Sequence, residues 1–313
     1  MTSSVPIIID CDTGRDDALA LWAMLALDMN LVGVVASYGN VALTQVIDNT
    51  ARVLSFTGRD DMPLFAGAAA PLRDHKAYHD VVLKRQASSG NGVCNIDYPL
   101  TKRVLPTQIP PEILAEQVAA LAKQHGKLSY IILGPATNFA QICDVLGDCI
   151  HDVIETVTMM GGRFDDLWTE TPVADFNLVC DPHAVRVILE CGLKPNFVAL
   201  NTTWPIALPL QAVENLQGDA PLAVAARDLM VAHCRHFAPE PIFRFHDPAA
   251  VMATRNMDSF HSVLMDINVD EDSCEFGRLG LGSGFAAGLH QTDARGREQL
   301  LSLILKGLGL TQL

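Results

Sequence analysis

Three observations predict an α/β protein built on one open, mostly parallel sheet flanked by helices. Short apolar runs, among them Ile7 to Ile9, Leu31 to Ser37 and Leu128 to Leu133, alternate with longer stretches of helical periodicity. Repeated strand-helix units imply a mostly parallel sheet covered on both faces. A chain of 313 residues, 49% hydrophobic with a mean hydropathy of +0.22, can bury one large core. Residues 1–313 are therefore read as a single domain, with ligands bound at the C-terminal ends of the strands.

The chain is organised around Val5 to Leu21. Ile7 to Ile9 form a buried strand, Thr13-Gly14 a turn, and Asp17 onward a helix that is apolar over most of its surface. Four carboxylates, Asp10, Asp12, Asp16 and Asp17, crowd this crossover. The helix dipole favours acids in a first turn by about 0.3 to 1 kcal/mol, less than the repulsion among four neighbours, and a cation is the simplest remedy. Oxygen-only ligands select a hard ion, and Ca2+ tolerates a crowded carboxylate shell better than Mg2+ does. For a lone Asp-Asp a helix cap is the competing reading; four acids after a buried strand favour the metal.

Downstream, Leu43 to Phe56 is a helix and Pro63 to Ala66 a short strand. Tyr38-Gly39-Asn40 sits just past the second strand, where Asn40 either reaches substrate or turns the chain. From Ala68 to Pro110 periodicity is lost in a segment too long for an ordinary connection, and it reads as a lid or active-site loop inserted over 68–110. Within it His75 and His79 have the i, i+4 spacing of a helical metal pair, or are two solvated histidines. Pro111 to His125 is a helix, and Glu155 to Met160 a strand ending at Gly161-Gly162, where backbone and substrate can approach closely. Asp181-Pro182-His183-Ala184 starts a helix, Asn196 to Leu200 is a strand, and Leu222 to His236 is a helix with Pro221 in its first turn. Phe237, Phe243 and Phe245 lie in a Pro-broken loop, as a stacking surface for a flat ring or as core. Gly280, Gly282, Gly284 and Ala287 imitate a dinucleotide fingerprint too late for a βαβ unit to follow, and are assigned to turns. Asp293 to Lys306 closes the chain as an amphipathic helix that Gly307 is placed to end.

Composition removes several classes. With 22 Lys plus Arg against 36 Asp plus Glu, the formal charge is −14, and no basic stripe is available for nucleic acid. A neutral small molecule suits the acid cluster better than a phosphorylated one. No apolar run approaches the roughly 18 to 20 residues of a membrane span, and Met1 to Pro6 lacks signal-peptide features; a soluble, cytoplasmic protein is expected. Eight cysteines, none in a CxxC pair, read as reduced thiols.

The run Asp10-Cys11-Asp12-Thr13-Gly14-Arg15-Asp16-Asp17-Ala18 resembles the N-terminal signature Asp-x-Asp-x-Gly-x-Asp-Asp-Ala of the inosine-uridine-preferring nucleoside hydrolase family. Further segments are similar to that family's other blocks, in its order: Gly39-Asn40, Gly134-Pro135-Ala136-Thr137-Asn138, Thr171-Pro172-Val173-Ala174-Asp175-Phe176-Asn177 with Asp181-Pro182, and His246-Asp247-Pro248. The resemblance covers roughly the whole chain. It implies a Rossmann-like fold and calcium-dependent hydrolysis of ribonucleosides to ribose and free base. By resemblance, Asp12, Asp17, the Thr137 carbonyl and Asp247 hold calcium, which binds the attacking water and the ribose 2′- and 3′-hydroxyls, with Asp12 as general base. Asp16 accepts from the 2′-hydroxyl and Asn177 donates to the 3′-hydroxyl. Asp175, Asn40 and Met160 line the substrate pocket, His246 protonates the leaving base, and Asp10 orders the turn. Homodimers or homotetramers are expected on the same ground. Three departures are visible. Ser88-Ser89-Gly90-Asn91-Gly92 stands where the family often has His-Gly-x-x-Gly, so the nucleobase preference stays open. Asp175 replaces a Glu and Thr169 aligns with an Asn, both on the 5′-hydroxyl side. Two rival classes remain: a non-catalytic calcium-dependent ribose binder, and a Mg2+-dependent haloacid-dehalogenase-type phosphatase with a strand-end Asp nucleophile. The phosphatase pattern requires Thr or Val at Gly14 and leaves Asp16, Asp17 and His246-Asp247 unexplained.

Overall fold

The computed structural model describes residues 5–96, 98, 101–163, 175–236, 241–255, 260–269, 279–281 and 284–312. Strand β1 (Ile7–Cys11) sends Ile7, Ile9 and Cys11 into one core and Ile8 into a second core on the opposite face. That is the period-two alternation of a strand covered on both sides, and it explains why the run is apolar without interruption. The other strands are β2 (Leu31–Ala36), β3 (Leu64–Ala66), β4 (Leu128–Ile132), β5 (Ile154–Met160), β6 (Asn196–Val198), β7 (Ala207–Pro209), β8 (Ile242–Arg244), β9 (His261–Val269), β10 (Leu279–Leu281) and β11 (Phe285–Gln291). Nine of them form one sheet in the order β10-β9-β11-β6-β5-β4-β1-β2-β3. Every pairing from β11 to β3 is parallel. Strands β9 and β10 extend the edge in antiparallel fashion. Chain order runs outward from β1 through β2 to β3, then restarts at β4 on the other side of β1. Such a reversal opens a crevice beyond the carboxyl ends of the two central strands.

Helices Arg15–Ala26, Leu43–Phe56, Pro221–His236, His246–Arg255 and Ala294–Gly307 cover one face, and Pro111–His125, Thr137–Leu146 and Pro182–Glu190 the other. The first of these is buried from Asp17 to Met24, which is why its sequence is apolar nearly all round. Its Trp22 is fully buried and donates its indole N–H to Val53 O at 3.1 Å. Asp293 caps the last helix by accepting from Gly296 N at 2.7 Å; Gly307 is that helix's final residue rather than its stop.

Four segments differ from expectation. Gly280 and Ala287, assigned to turns, belong to β10 and β11, which both pair antiparallel with β9, the strand that precedes them; Gly282 lies outside the described residues. The expected strand at Asn196 to Leu200 ends at Val198 and gives way to a helical turn, Leu200–Thr203. The 68–110 segment contains a wide helical turn, Tyr78–Leu83, running into a helix, Lys84–Ser88. Only Val82 of this piece is fully buried, against a small cluster with Tyr38 and Cys180, and so the sequence shows no periodic apolar face. Ile242 to Arg244, expected as loop, pairs with β7 as a two-stranded sheet. The seven described cysteines are free thiols. Among the described residues no helix is long and apolar enough to cross a membrane.

Candidate active site

The acidic turn follows β1, and the Gly134 turn follows β4, so both lie at the crevice where the sheet order reverses. Close approach of these turns requires glycine. A Cβ on Gly134 would stand 3.0 Å from both Asp12 N and Asp12 Oδ1. Gly39 is stricter still, because its φ is +157° and a Cβ there would fall 2.0 Å from Asp12 Oδ2. Gly39→Ala is therefore expected to displace the Asp12 carboxylate and lower kcat/KM at least tenfold, with a drop in melting temperature as the second readout.

Each acid of the first turn has a distinct environment. Asp10 is fully buried, accepting from Asn138 Nδ2 at 2.9 Å and Tyr130 Oη at 3.1 Å. Burial pushes its carboxyl up to about 7 against those bonds. Asp12 accepts from Asn40 N at 2.5 Å, and burial likewise raises it to about 7. Asp17 accepts from Gly14 N at 2.9 Å through Oδ2, whereas its buried Oδ1 has no hydrogen-bond partner. Carboxylate oxygens of Asp16, Asp17 and Asp247 lie within 4.8 Å of one another. Burial, then the charges of its acidic neighbours, raise Asp17 and Asp247 well above the carboxylate range. An orphaned oxygen within three converging carboxylates fits a hard cation: all donors are oxygen, and an ion would relieve both the lost hydrogen bond and the repulsion.

A cavity of about 190 Å3 opens on this cluster, its lining including Asp12, Asp16 and Asp247 together with Leu133, Met160, Asp175 and Asn177. The structure thus brings Asp12, Asp16, Asn40, Met160, Asp175, Asn177, His246 and Asp247 to one wall system, with Asp17 beneath it. Thr137 stands elsewhere than expected. It is fully buried, with its hydroxyl donated to Asp181 Oδ2 at 2.8 Å, and as the first residue of its helix it aims its carbonyl along the helix axis, away from the site. Leu133, the residue directly after β4, lines the cavity. Asn177 also differs in role, since its Nδ2 donates to Leu133 O at 2.7 Å and to Met160 O at 3.1 Å, so its N–H groups tie two strand ends together. Asp175 caps the helix Phe176–Cys180 by accepting from Asn177 N at 3.0 Å and Leu178 N at 3.3 Å, and burial raises it to about 6. Asn40 is a brace: beyond its bond to Asp12, its Nδ2 reaches Asp17 Oδ2 at 3.4 Å and its Oδ1 accepts from Arg85 at 3.0 Å.

His246 Nδ1 and Thr203 Oγ1 are 2.7 Å apart. Burial, aided by Arg244 and Arg85, lowers His246 from its ordinary value against the pull of Asp16, so the imidazole is neutral near pH 7. A second cavity of about 600 Å3 shares the Asp16, Arg85 and His246 walls and runs out past Trp204, His233 and Phe243. Phe243 thus meets both expectations, buried yet on the cavity wall, while Phe245 is core. Phe237, Thr169 and the Thr171 to Ala174 stretch lie outside the described residues. His75 and His79 are no metal pair. His75 meets Cys180 O at 3.2 Å and accepts from Tyr78 N at 3.0 Å, and His79 pairs with Asp74 at 2.6 Å. Arg85, Leu133 and Thr203 were not singled out by sequence reasoning; Arg85 sits in the aperiodic insertion, and a main-chain carbonyl or an isolated Thr carries no signal.

The model of the inosine-uridine preferring nucleoside hydrolase family matches residues 7–296. The chain is 31% identical over 229 residues to the pyrimidine-specific ribonucleoside hydrolase RihA of Shewanella oneidensis, covering 72% of this chain and 68% of that one. It is 27% identical over 267 residues to RihA of Photobacterium profundum, with 83% of each covered. Among solved structures, the plant nucleoside hydrolase PpNRh1 superposes with a TM-score of 0.81 at 22% identity over 98% of this chain and 99% of that one. A purine-preferring ribonucleoside hydrolase from Gardnerella vaginalis gives 0.78 at 22% over 97% and 99%. On the match across nearly its whole length and on this shared fold, the chain belongs to the inosine-uridine preferring nucleoside hydrolase family.

Proposed function

We propose that the protein hydrolyses the N-glycosidic bond of ribonucleosides in a calcium-dependent reaction, releasing ribose and free base. The observation that carries the reading is the orphaned Oδ1 of Asp17 beside the converging oxygens of Asp16 and Asp247, two walls of a small cavity that shares Asp16, Arg85 and His246 with a larger one. Asp12, Asp17 and Asp247 would hold the ion, with Asp16 beside them and the Leu133 main chain at the position expected for Thr137. Bound calcium supplies Lewis-acid activation of water and a grip on the ribose diol. Asp12 takes a proton from the water that attacks C1′, while the electron pair of the breaking bond passes to the ring nitrogen of the base. Asp16 accepts from the 2′-hydroxyl. The amide oxygen of Asn177, not its committed N–H groups, accepts from the 3′-hydroxyl, and Asp175 takes the 5′-hydroxyl. With Thr203 donating to Nδ1, His246 carries its N–H on Nε2 and donates a hydrogen bond to the leaving base, whose ring nitrogen takes its proton from solvent. The 68–110 insertion closes over the site, and the protein assembles as a homodimer or homotetramer.

The test is ribose release from inosine, uridine, cytidine and adenosine, with and without EDTA. Release that calcium restores supports the hydrolase and ranks its bases. Calcium-dependent ribose binding without turnover would sink it in favour of a binding protein, and hydrolysis of p-nitrophenyl phosphate would favour the phosphatase.

A further inference from the structure

The 68–110 insertion is joined to the acid cluster by directed polar bonds rather than by an apolar face. Helix Lys84–Ser88 has no buried residue, yet its side chains converge on one short turn. Gln86 Nε2 donates to Gly39 O at 3.1 Å and to Val41 O at 3.4 Å, and Arg85 Nη2 donates to Asn40 Oδ1 at 3.0 Å. The helix thus grips Asn40 by its side chain and by the carbonyls on either side of it. The Arg85 guanidinium also lies 3.9 Å from the centre of the Phe176 ring, another wall of the smaller cavity. Farther along the insertion, Asn91 O accepts from Asn49 Nδ2 at 2.8 Å, and the same nitrogen donates to Thr13 O at 2.9 Å, within the acidic turn. Asn40 is where these bonds meet the acids: its N–H donates to Asp12 Oδ2 at 2.5 Å and its Nδ2 to Asp17 Oδ2 at 3.4 Å. An Asn amide has one acceptor end and one donor end. Because Arg85 engages the acceptor end, the donor end faces Asp17; the reverse orientation would set two oxygens against each other and point an NH2 group at a guanidinium.

We propose that Arg85 and Gln86 are positioning residues for hydrolysis: the insertion helix clamps the 39–41 turn and, through Asn40, holds the Asp12 and Asp17 carboxylates in their working geometry. This rests on the reading of the protein as a ribonucleoside hydrolase. A general base acts only when its oxygen is within reach of the proton it takes, and a misplacement of about 1 Å can cost about a hundredfold in rate. The carboxylates of the cluster repel one another, so a base among them keeps its place only where hydrogen bonds oppose that repulsion. Asn40 supplies such bonds, but Gly39 beside it, with φ at +157°, gives the turn little stiffness of its own. The restraint comes from the insertion. Gln86 lines neither cavity, so it meets the reaction through the turn rather than through substrate. Arg85 has a second effect, since its charge opposes the burial that raises Asp12 and Asp175.

The test measures kcat and KM for inosine and uridine in saturating calcium, and follows calcium binding to the substrate-free protein by isothermal titration. Gln86→Met keeps the length of the side chain and removes its donor. It is expected to lower kcat about tenfold with KM nearly unchanged, and to weaken calcium binding about tenfold, the lower end of what the partners of metal-bound carboxylates contribute. Arg85→Met is then compared in the wild-type and Asn40→Ala backgrounds. The guanidinium charge is lost in both, so the difference between them isolates the bond to Asn40; the loss of kcat should be at least threefold smaller where Asn40 is absent. A raised KM with unchanged kcat and calcium affinity in Gln86→Met would make the insertion a mere cover and overturn the proposal. Equal losses for Arg85→Met in the two backgrounds would overturn it as well. Ribose from neither nucleoside would instead overturn the hydrolase reading, while the calcium titration would still decide whether Gln86 holds the acids in place.

Discussion

Asp12→Asn is expected to lower kcat about 10^3-fold, within the range that positioned general bases contribute, while leaving the fold intact. The substitution preserves volume, and the amide oxygen can still accept from Asn40 N, which donates to Asp12 at 2.5 Å. What is lost is the proton acceptor, one negative charge and, with it, a carboxylate ligand of the proposed ion. Losing the charge eases the burial that now drives the Asp12 carboxyl to about 7, so the metal-free variant should melt no lower than wild type. Ribose release and a melting curve on one sample separate the two effects. Full activity in Asp12→Asn would remove Asp12 as the base, and inactivity with collapse of the melting transition would make its role structural.

Calcium is expected to raise the melting temperature, and the gain should grow with pH. Asp10 and Asp12 stand at about 7 in the fold against about 3.9 for an unfolded Asp. Between those values the folded state keeps protons that the unfolded state has released. The stability they contribute is therefore complete below about pH 4 and is lost as pH rises through about 7. In EDTA the protein should thus be markedly less stable at pH 8 than at pH 5. Calcium binds the ionised carboxylates and opposes this loss. At a hundredfold excess over its dissociation constant it adds about 2.7 kcal/mol, which for a chain of this size corresponds to a rise of about 5 °C. A melting temperature indifferent to calcium at pH 8, with EDTA-treated protein fully active, would sink the metal assignment. In Asp12→Asn the fall of stability with pH should be shallower, since one of the raised carboxyls behind it has gone.

The sequence by itself determined the parallel sheet from β1 to β6 and the position of the acid cluster at its switch point. Both follow from local patterns: apolar runs such as Ile7–Ile9 and Leu128–Leu133 cannot rest unless covered on both faces, and Asp12, Asp16 and Asp17 lie within one turn of chain. His246 and Asp247 were legible only as the last of an ordered series of blocks, because a lone His-Asp has no periodicity to mark it. Tertiary structure alone decided what depends on how strands pair and on which side chains meet between elements. The antiparallel edge of β9, β10 and β11 exists because those strands find one another, and glycines that imitate a turn motif do not reveal it. Thr137 was expected to offer a carbonyl, but helix geometry turns that carbonyl inward and leaves Leu133 at the wall. Asn177 was expected to donate, but two strand ends already take its N–H groups. Arg85 shows the limit most plainly. It lies in a segment with no periodic face, and only the fold sets its guanidinium between Asn40 and Phe176 at the junction of two cavities. A pattern in sequence records which residues a helix or strand must bury; where a long polar side chain ends is fixed by the elements that meet around it.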